Sequence, residues 1–282
     1  MRVLAAAVAA LVLTPQSTIQ VTAHSRAVQP GELVILSIAA PSPADGPIRV
    51  RAFGRDVAAY RGDDDGSWRA LVGIDLDVKP GTYPVTVQAA SAHTSYDLVV
   101  RPRKFRTRTL TVDPAFVTPP ESERERIERE AKLLEETWRS SAAERLWSDA
   151  FVRPVPQPAN SAFGTRSVFN GQPRNAHGGA DFLSPAGTPI LAPNAGRIVV
   201  ARPLYFSGNT VVIDHGLGLF SMLAHLSAFE VHEGDRVAAG QRLGLVGATG
   251  RVTGPHLHWA VRASGARVDP LSVLSLLGPP NG

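Results

Sequence analysis

Residues 196–218 read Gly-Arg-Ile-Val-Val-Ala-Arg-Pro-Leu-Tyr-Phe-Ser-Gly-Asn-Thr-Val-Val-Ile-Asp-His-Gly-Leu-Gly. Two apolar, β-branched runs, Arg197–Ala201 and Thr210–Asp214, are bracketed by Gly196, Gly208, Gly216 and Gly218. Runs this short suit a pleated surface better than a helix, and the glycines mark where the chain reverses. The stretch therefore predicts antiparallel hairpins. The same punctuation continues on both sides, through Gly164, Gly171, Gly178-Gly179 and Gly187 upstream and Gly240, Gly244, Gly247, Gly250 and Gly254 downstream. Residues 151–282 are expected to form an all-β unit of hairpins.

Nearer the N-terminus the pattern is also β. Ile48, Val50 and Ala52 alternate with Arg49 and Arg51; Trp68, Ala70, Val72 and Ile74 share a face, as do Tyr83, Val85, Val87 and Ala89 after the Lys79-Pro80-Gly81 turn. Period-two alternation with regular turns predicts a sandwich over 17–112, which resembles an immunoglobulin-like domain. Asp63-Asp64-Asp65-Gly66 reads as a hairpin tip. Residues 113–150 read as a helical linker. Thr118-Pro119-Pro120-Glu121 has the form of a capping box. Ile127, Ala131, Leu134, Trp138 and Ala142 then fall on one stripe, with Glu125/Arg129, Glu128/Lys132 and Glu135/Arg139 spaced for ion pairs on the wet side. The fold class expected is mainly β: a sandwich, a linker helix, and a C-terminal barrel of hairpins. At the start, Met1-Arg2 and the apolar run Val3–Leu13 read as a signal peptide over 1–16. No stretch approaches the roughly 20 apolar residues of a membrane-spanning helix. The expectation is an exported protein, periplasmic or extracellular, and not transmembrane.

Composition narrows the chemistry. The 282 residues are 44% hydrophobic and 19% charged, enough to build real cores, and hold no cysteine. Disulfide scaffolds, cysteine-ligated zinc and cysteine nucleophiles are excluded. The net charge of +4 is too small to argue for nucleic acid as a partner. It is carried by residues 151–282, with 10 basic and 6 acidic side chains. Six of the eight histidines lie between His177 and His258.

Within that region Pro255-His256-Leu257-His258-Trp259 places two imidazoles at i and i+2, on one side of a strand. His177-Gly178-Gly179-Ala180-Asp181 adds a His and an Asp that a bend at the diglycine would bring into one shell. His177, Asp181 and one histidine of the pair would make a His₂Asp set. Three such ligands suit zinc and leave its fourth position open, the arrangement of a catalytic site. His225, in Ser221-Met-Leu-Ala-His-Leu-Ser227, ends an apolar strand and could handle protons or donate to an oxyanion. His215, before a glycine turn, reads as structural. His24, His93 and His232 read as surface residues.

Residues 159–270 resemble the lysostaphin-type (LytM-like) zinc metalloendopeptidases of peptidoglycan. The resemblance rests on Phe163-Gly-Thr-Arg166, His177-x-x-x-Asp181, Gly208–Gly216, Ala224-His-Leu-Ser227 and Gly247-Ala-Thr-Gly-Arg-Val-Thr-Gly-Pro-His-Leu-His258. It implies an antiparallel hairpin barrel, one Zn²⁺ per chain on His177, Asp181 and His258, and His225 and His256 as catalytic histidines that do not bind metal. It implies hydrolysis of stem or cross-bridge peptides of peptidoglycan, with the N-terminal unit available to an envelope protein partner. The rival is a non-hydrolytic regulator that binds peptidoglycan and activates a separate amidase; such members typically lose ligands, and all five residues stand here. The chain departs from the family pattern at Leu223, where tyrosine is usual, at Trp259 and Ala260, usually Phe and Glu, and at Val252, often Ser.

Overall fold

The computed structural model describes residues 18–40, 47–63, 67–90, 92–111, 118–148, 150–161 and 163–279. The leader expected over 1–16 lies outside the described residues, as does most of the hairpin tip at 64–66. Seven strands form the N-terminal unit: β1 Gln20–His24, β2 Leu33–Ala39, β3 Arg49–Ala52, β4 Arg55–Arg61, β5 Trp68–Gly73, β6 Gly81–Ala89 and β7 Ala92–Val100. All pairings are antiparallel, in the order β1-β2-β5-β4-β3-β6-β7. Strand β4 pairs with β3 through Arg55–Ala58 and with β5 through Ala59–Arg61, so it carries the sheet round a bend. Val34, Leu36 and Ile38 thereby meet Val50, Val72, Val85, Val87 and Leu98 in one core. The expected alternation holds where water covers the outer face: Val50 and Ala52 are buried while Arg49 and Arg51 are exposed.

In β2 and β5 alternation fails, for a physical reason. Leu33, Ile35 and Leu71 point away from that core and join a second one, with Val261, Ala263, Ala266, Val268 and Val273 of the C-terminal unit. Both faces of these strands are buried, as in any sheet covered on two sides.

The chain continues through β8 Thr107–Leu110, a 3₁₀ turn at Glu121–Glu123 and helix α1 Arg124–Arg139. The capping box does not form: the residue before α1 is Glu123, and no side chain caps it. Leu134 and Trp138 dock on Val200, Val212 and Phe220, so α1 packs by one face. On the wet side Arg129 pairs with Glu125 and Arg139 with Glu135, whereas Glu128 pairs with Arg124 and Lys132 with Glu136.

The C-terminal strands are β9 Ala159–Ser161, β10 Arg166–Phe169, β11 Gln172–Pro173, β12 Gly179–Phe182, β13 Pro189–Leu191, β14 Gly196–Leu204, β15 Gly208–Gly216, β16 Leu219–Phe229, β17 Arg236–Val237, β18 Arg242–Val246, β19 Leu257–Ala263 and β20 Ala266–Val268, followed by helix α2 Pro270–Leu277. The main sheet runs β17-β14-β15-β16-β19-β12-β9, with β13, β18 and β20 attached to its sides, in a nearly closed barrel. A separate small sheet, β11-β10-β8, pairs β8 in parallel with β10, so the connector after the N-terminal unit hydrogen-bonds to the C-terminal one.

Charge also joins the two units. Arg26 and Arg103 both reach Glu32 and Asp269, at 2.7–3.3 Å, and these carboxylates are only 2% and 4% exposed. The Leu33 amide donates to Ser272 Oγ and the Asp269 amide to the Gly31 carbonyl. Breaking a buried ion cluster from one side leaves the remaining charges desolvated. Glu32→Ala is expected to cost about 3–5 kcal/mol of stability, read by urea unfolding; a loss below about 1 kcal/mol would mean that the cluster is no more than a surface ion pair.

Candidate metal centre

Strand β19 positions the site. Its inner face is Leu257, Trp259, Val261 and Ala263, all buried, which leaves His258 on the groove face. In register, His258 stands opposite Asp181 of β12 on one side and Ala224 of β16 on the other. Cross-strand partners lie within reach of each other's side chains, so Asp181 and His258 meet by register alone. His177 arrives from the loop before β12, which is held by hydrogen bonds from the His177 amide to the Thr165 carbonyl and from the Gly164 amide to the His177 carbonyl. Of the two glycines after it, Gly179 is the one the geometry requires. A Cβ there would sit 2.4 Å from the Trp259 carbonyl and 2.8 Å from the His258 ring, whereas one at Gly178 would meet nothing within 4 Å.

Three atoms converge. His177 Nε2 lies 3.0 Å from Asp181 Oδ1 and 3.1 Å from His258 Nδ1, and His258 Nδ1 lies 2.9 Å from Asp181 Oδ1. Donors held tetrahedrally at about 2.0–2.1 Å from a zinc ion would be about 3.3 Å apart, so the triangle matches such an ion in size and in donor type. Burial works to raise the Asp181 carboxyl, but the hydrogen bonds from His177 and His258 outweigh it and hold the group well below the usual carboxylate range. Burial lowers His258, so its imidazole favours the neutral form that binds metal. Among the described residues, these three side chains form a group whose geometry could hold a metal ion.

Two further imidazoles face the triangle. The His225 ring centroid is 4.8 Å from that of His256 and 6.0 Å from that of His258. His225 Nδ1–H donates to the Thr249 carbonyl at 2.9 Å and His256 Nδ1–H to the Gly254 carbonyl at 2.9 Å. A carbonyl can only accept, so both rings carry the proton on Nδ1 when neutral and leave Nε2 as the acceptor. His256 Nε2 lies 3.9 Å from Asp181 Oδ1. Burial, followed by the charge of His258, lowers His225 to about 4. His225 also sits at φ 68°, in the left-handed region. Its amide donates to the Ser207 carbonyl, and Thr249 Oγ1 clamps the next turn by donating to the Leu226 carbonyl. Thr249 is the participant that reading for imidazoles missed, although it lies inside the glycine-rich stretch leading to His256.

A model of peptidase family M23 matches residues 175–270. The crystal structure of a Pseudomonas aeruginosa protein assigned to peptidase M23 superposes with a TM-score of 0.72 at 34% identity, over 88% of this chain and 95% of that one. The chain belongs to peptidase family M23. Among curated relatives, the peptidoglycan DD-endopeptidase ShyA of Vibrio cholerae is 44% identical over 95 residues, and the DD-carboxypeptidase/endopeptidase Mpg of Neisseria meningitidis 45% over 97. Each match covers 34% of this chain and 22% of the relative, so the chain matches about a fifth of the length of these proteins.

The remaining histidines of this M23 peptidase sit apart from the triangle. His232 is exposed, 3.7 Å from Asp235. His24 and His93 lie exposed on β1 and β7. His215 is fully buried against Phe151; its Nδ1–H donates to the Ala195 carbonyl at 2.7 Å and its Nε2 accepts from Ser221 Oγ at 2.9 Å. Ser221 Oγ accepts in turn from Trp259 Nε1–H. Trp259 is thus a satisfied core residue, and Leu223 is also fully buried, so neither departure from the family pattern lines the groove.

Burial lowers His215 to about 4. Between about pH 6.5 and pH 4 the unfolded chain binds a proton there that the folded chain does not. This contribution is complete above pH 6.5 and is lost as pH falls through that window, by on the order of 3 kcal/mol at its lower end. Urea unfolding at pH 7, 6 and 5 should show the decline, with a shallower slope for His215→Asn alongside a loss of about 1–3 kcal/mol at pH 7; equal slopes would remove His215 as the source.

Proposed function

We propose that this M23 peptidase is a zinc-dependent endopeptidase that hydrolyses stem or cross-bridge peptides of bacterial peptidoglycan. His177, Asp181 and His258 would hold one zinc ion per chain. The observation that carries the reading is the triangle of Nε2, Oδ1 and Nδ1 at 2.9–3.1 Å, faced by two imidazoles with Nε2 unprotonated. The names of the relatives, peptidoglycan DD-endopeptidase and DD-carboxypeptidase/endopeptidase, support the substrate class. When bound, zinc supplies Lewis acidity toward a carbonyl and acidifies water.

The chain's own residues then have separable roles. Asp181, ionised although largely buried, offsets cationic charge in the centre. His225 is neutral at physiological pH, oriented by Thr249, and presents Nε2 to take up a proton. His256, oriented by the Gly254 carbonyl, presents Nε2 from the adjoining position and, once protonated, donates to an oxyanion. Action on the wall implies export, for which the apolar segment at 3–13 supplies a leader. The chain divides into a sandwich unit at 17–112, a helical linker at 113–150 and a peptidase unit at 151–282, and any envelope partner is assigned to the first.

Metal content measured beside digestion of purified sacculi tests the roles. His258→Ala removes one of three ligands and should purify largely without zinc. His256→Ala and His225→Ala should keep about one zinc per chain while hydrolysis falls about 10²–10⁴-fold, the range of general acid–base groups. A chelator should abolish wild-type digestion. Loss of zinc in His256→Ala with retention in His258→Ala would invert the ligand assignment, and wild-type protein that holds zinc without cutting sacculi would favour the regulator.

A further inference from the structure

The small sheet β11-β10-β8 carries a concentration of positive charge that the roles above do not use. Residues 101–111 and 163–178 together hold seven Arg or Lys and no Asp or Glu. Arg103 is taken up by Glu32 and Asp269. Strand register sorts the others. Arg108 stands opposite Ser167 in the β8–β10 pair, and its Nε donates to Ser167 Oγ at 2.9 Å. The Arg174 amide donates to the Ser167 carbonyl at 2.8 Å, continuing the β10–β11 register, so Arg174 flanks Ser167 from the other side. Arg106 precedes Arg108 by two residues and extends the ladder by accepting from the Arg166 amide, which puts it on the same face.

This face adjoins the metal centre. Arg174 is three residues before His177, at most about 10 Å of chain. Its Nε is buried with no hydrogen-bond partner among the described residues. Arg251, seated over the Phe206 ring at 4.4 Å and two residues from Thr249, senses it: burial first, and then the like charge of Arg174, lower the Arg251 guanidinium. Guanidinium forks match carboxylates in shape and charge. Peptidoglycan stem peptides carry free carboxylates, and the stem is the part of the polymer that must enter the site.

We infer that Arg106, Arg108 and Arg174 form a guanidinium face that holds stem-peptide carboxylates beside the scissile bond. The inference rests on the peptidoglycan reading above. It sets substrate positioning on a sheet to which the connector contributes one strand.

Binding is measured without turnover, by co-sedimentation of the full-length, chelator-treated protein with purified sacculi stripped of phosphate polymers. At 0.1 M salt the triple variant Arg106→Gln/Arg108→Gln/Arg174→Gln should be retained at least about tenfold less than wild type, and the difference should vanish near 1 M, where the Debye length is about 3 Å. Wild-type protein should show the same drop on sacculi whose carboxylates have been converted to amides, a comparison that needs no variant to fold. Retention of wild type unchanged by amidation, or wild-type retention by a triple variant of unaltered thermal midpoint, overturns the inference. Retention that depends on phosphate polymers instead of carboxylates also overturns it. Digestion of unmodified sacculi by metal-loaded wild type is run alongside: digestion with unchanged retention sinks this inference alone, and absence of digestion sinks the reading beneath it.

Discussion

Strand β19 is hydrogen-bonded along both edges, to β16 on one side and to β12 and β20 on the other, and the site depends on that double registration. A slip of one residue would turn His258 into the core and Trp259 into the groove. Trp259 resists this, because it is fully buried and its indole N–H is committed to Ser221 Oγ, which also donates to His215. The buried polar chain His215–Ser221–Trp259 is therefore more than a satisfied corner of the barrel. It gives the inner face of β19 a polar anchor that only one register fulfils, and the outer face inherits its alignment.

The second constraint is steric. Two loops meet beneath His225, and they approach so closely that a Cβ at Gly208 would lie 2.3 Å from Thr249 backbone, while one at Gly250 would lie 2.3 Å from the Gly208 nitrogen. Both glycines are at positive φ, where a side chain would be strained as well as obstructed. This contact brings the Thr249 carbonyl within reach of His225 Nδ1 and supports the left-handed backbone at His225 itself. An imidazole in that conformation costs free energy that the surroundings must offset. Here they do so through the Ser207, Thr249 and Leu226 carbonyls, each of which takes part in a hydrogen bond at the turn.

Much of this was legible before the structure. The glycine-bracketed runs gave hairpins because period and turn chemistry are local properties, and His256 and His258 were readable as a same-face pair because a strand has period two. Which of the pair meets Asp181 was not readable from spacing, since it depends on the β12–β19 register between segments 77 residues apart. The double burial of Leu33, Ile35 and Leu71 was hidden for a related reason: alternation reports one covered face, and only docking of the second unit covers the other. The capping box expected at Thr118 does not form because the first turn is 3₁₀, which displaces the start of α1 to Arg124. Ser and Thr motifs predict a cap only when the helix begins where they do.

Docking of the two units also bears on the site. Arg103 is fixed by Glu32 and Asp269, and two residues later Phe105 packs against Phe163 at 6.5 Å and lies so close over Gly164 that a Cβ there would meet its ring at 2.1 Å. The Gly164 amide donates to the His177 carbonyl. A continuous set of contacts thus runs from a buried ion cluster between the units, through the connector, to the loop that carries one member of the triangle. Each link is a short-range contact, so the N-terminal unit is joined both to β8 and to the His177 loop. The charge cluster ties Arg103 to both units, Phe105 lies against Phe163 and Gly164, and the Gly164 amide reaches the His177 carbonyl.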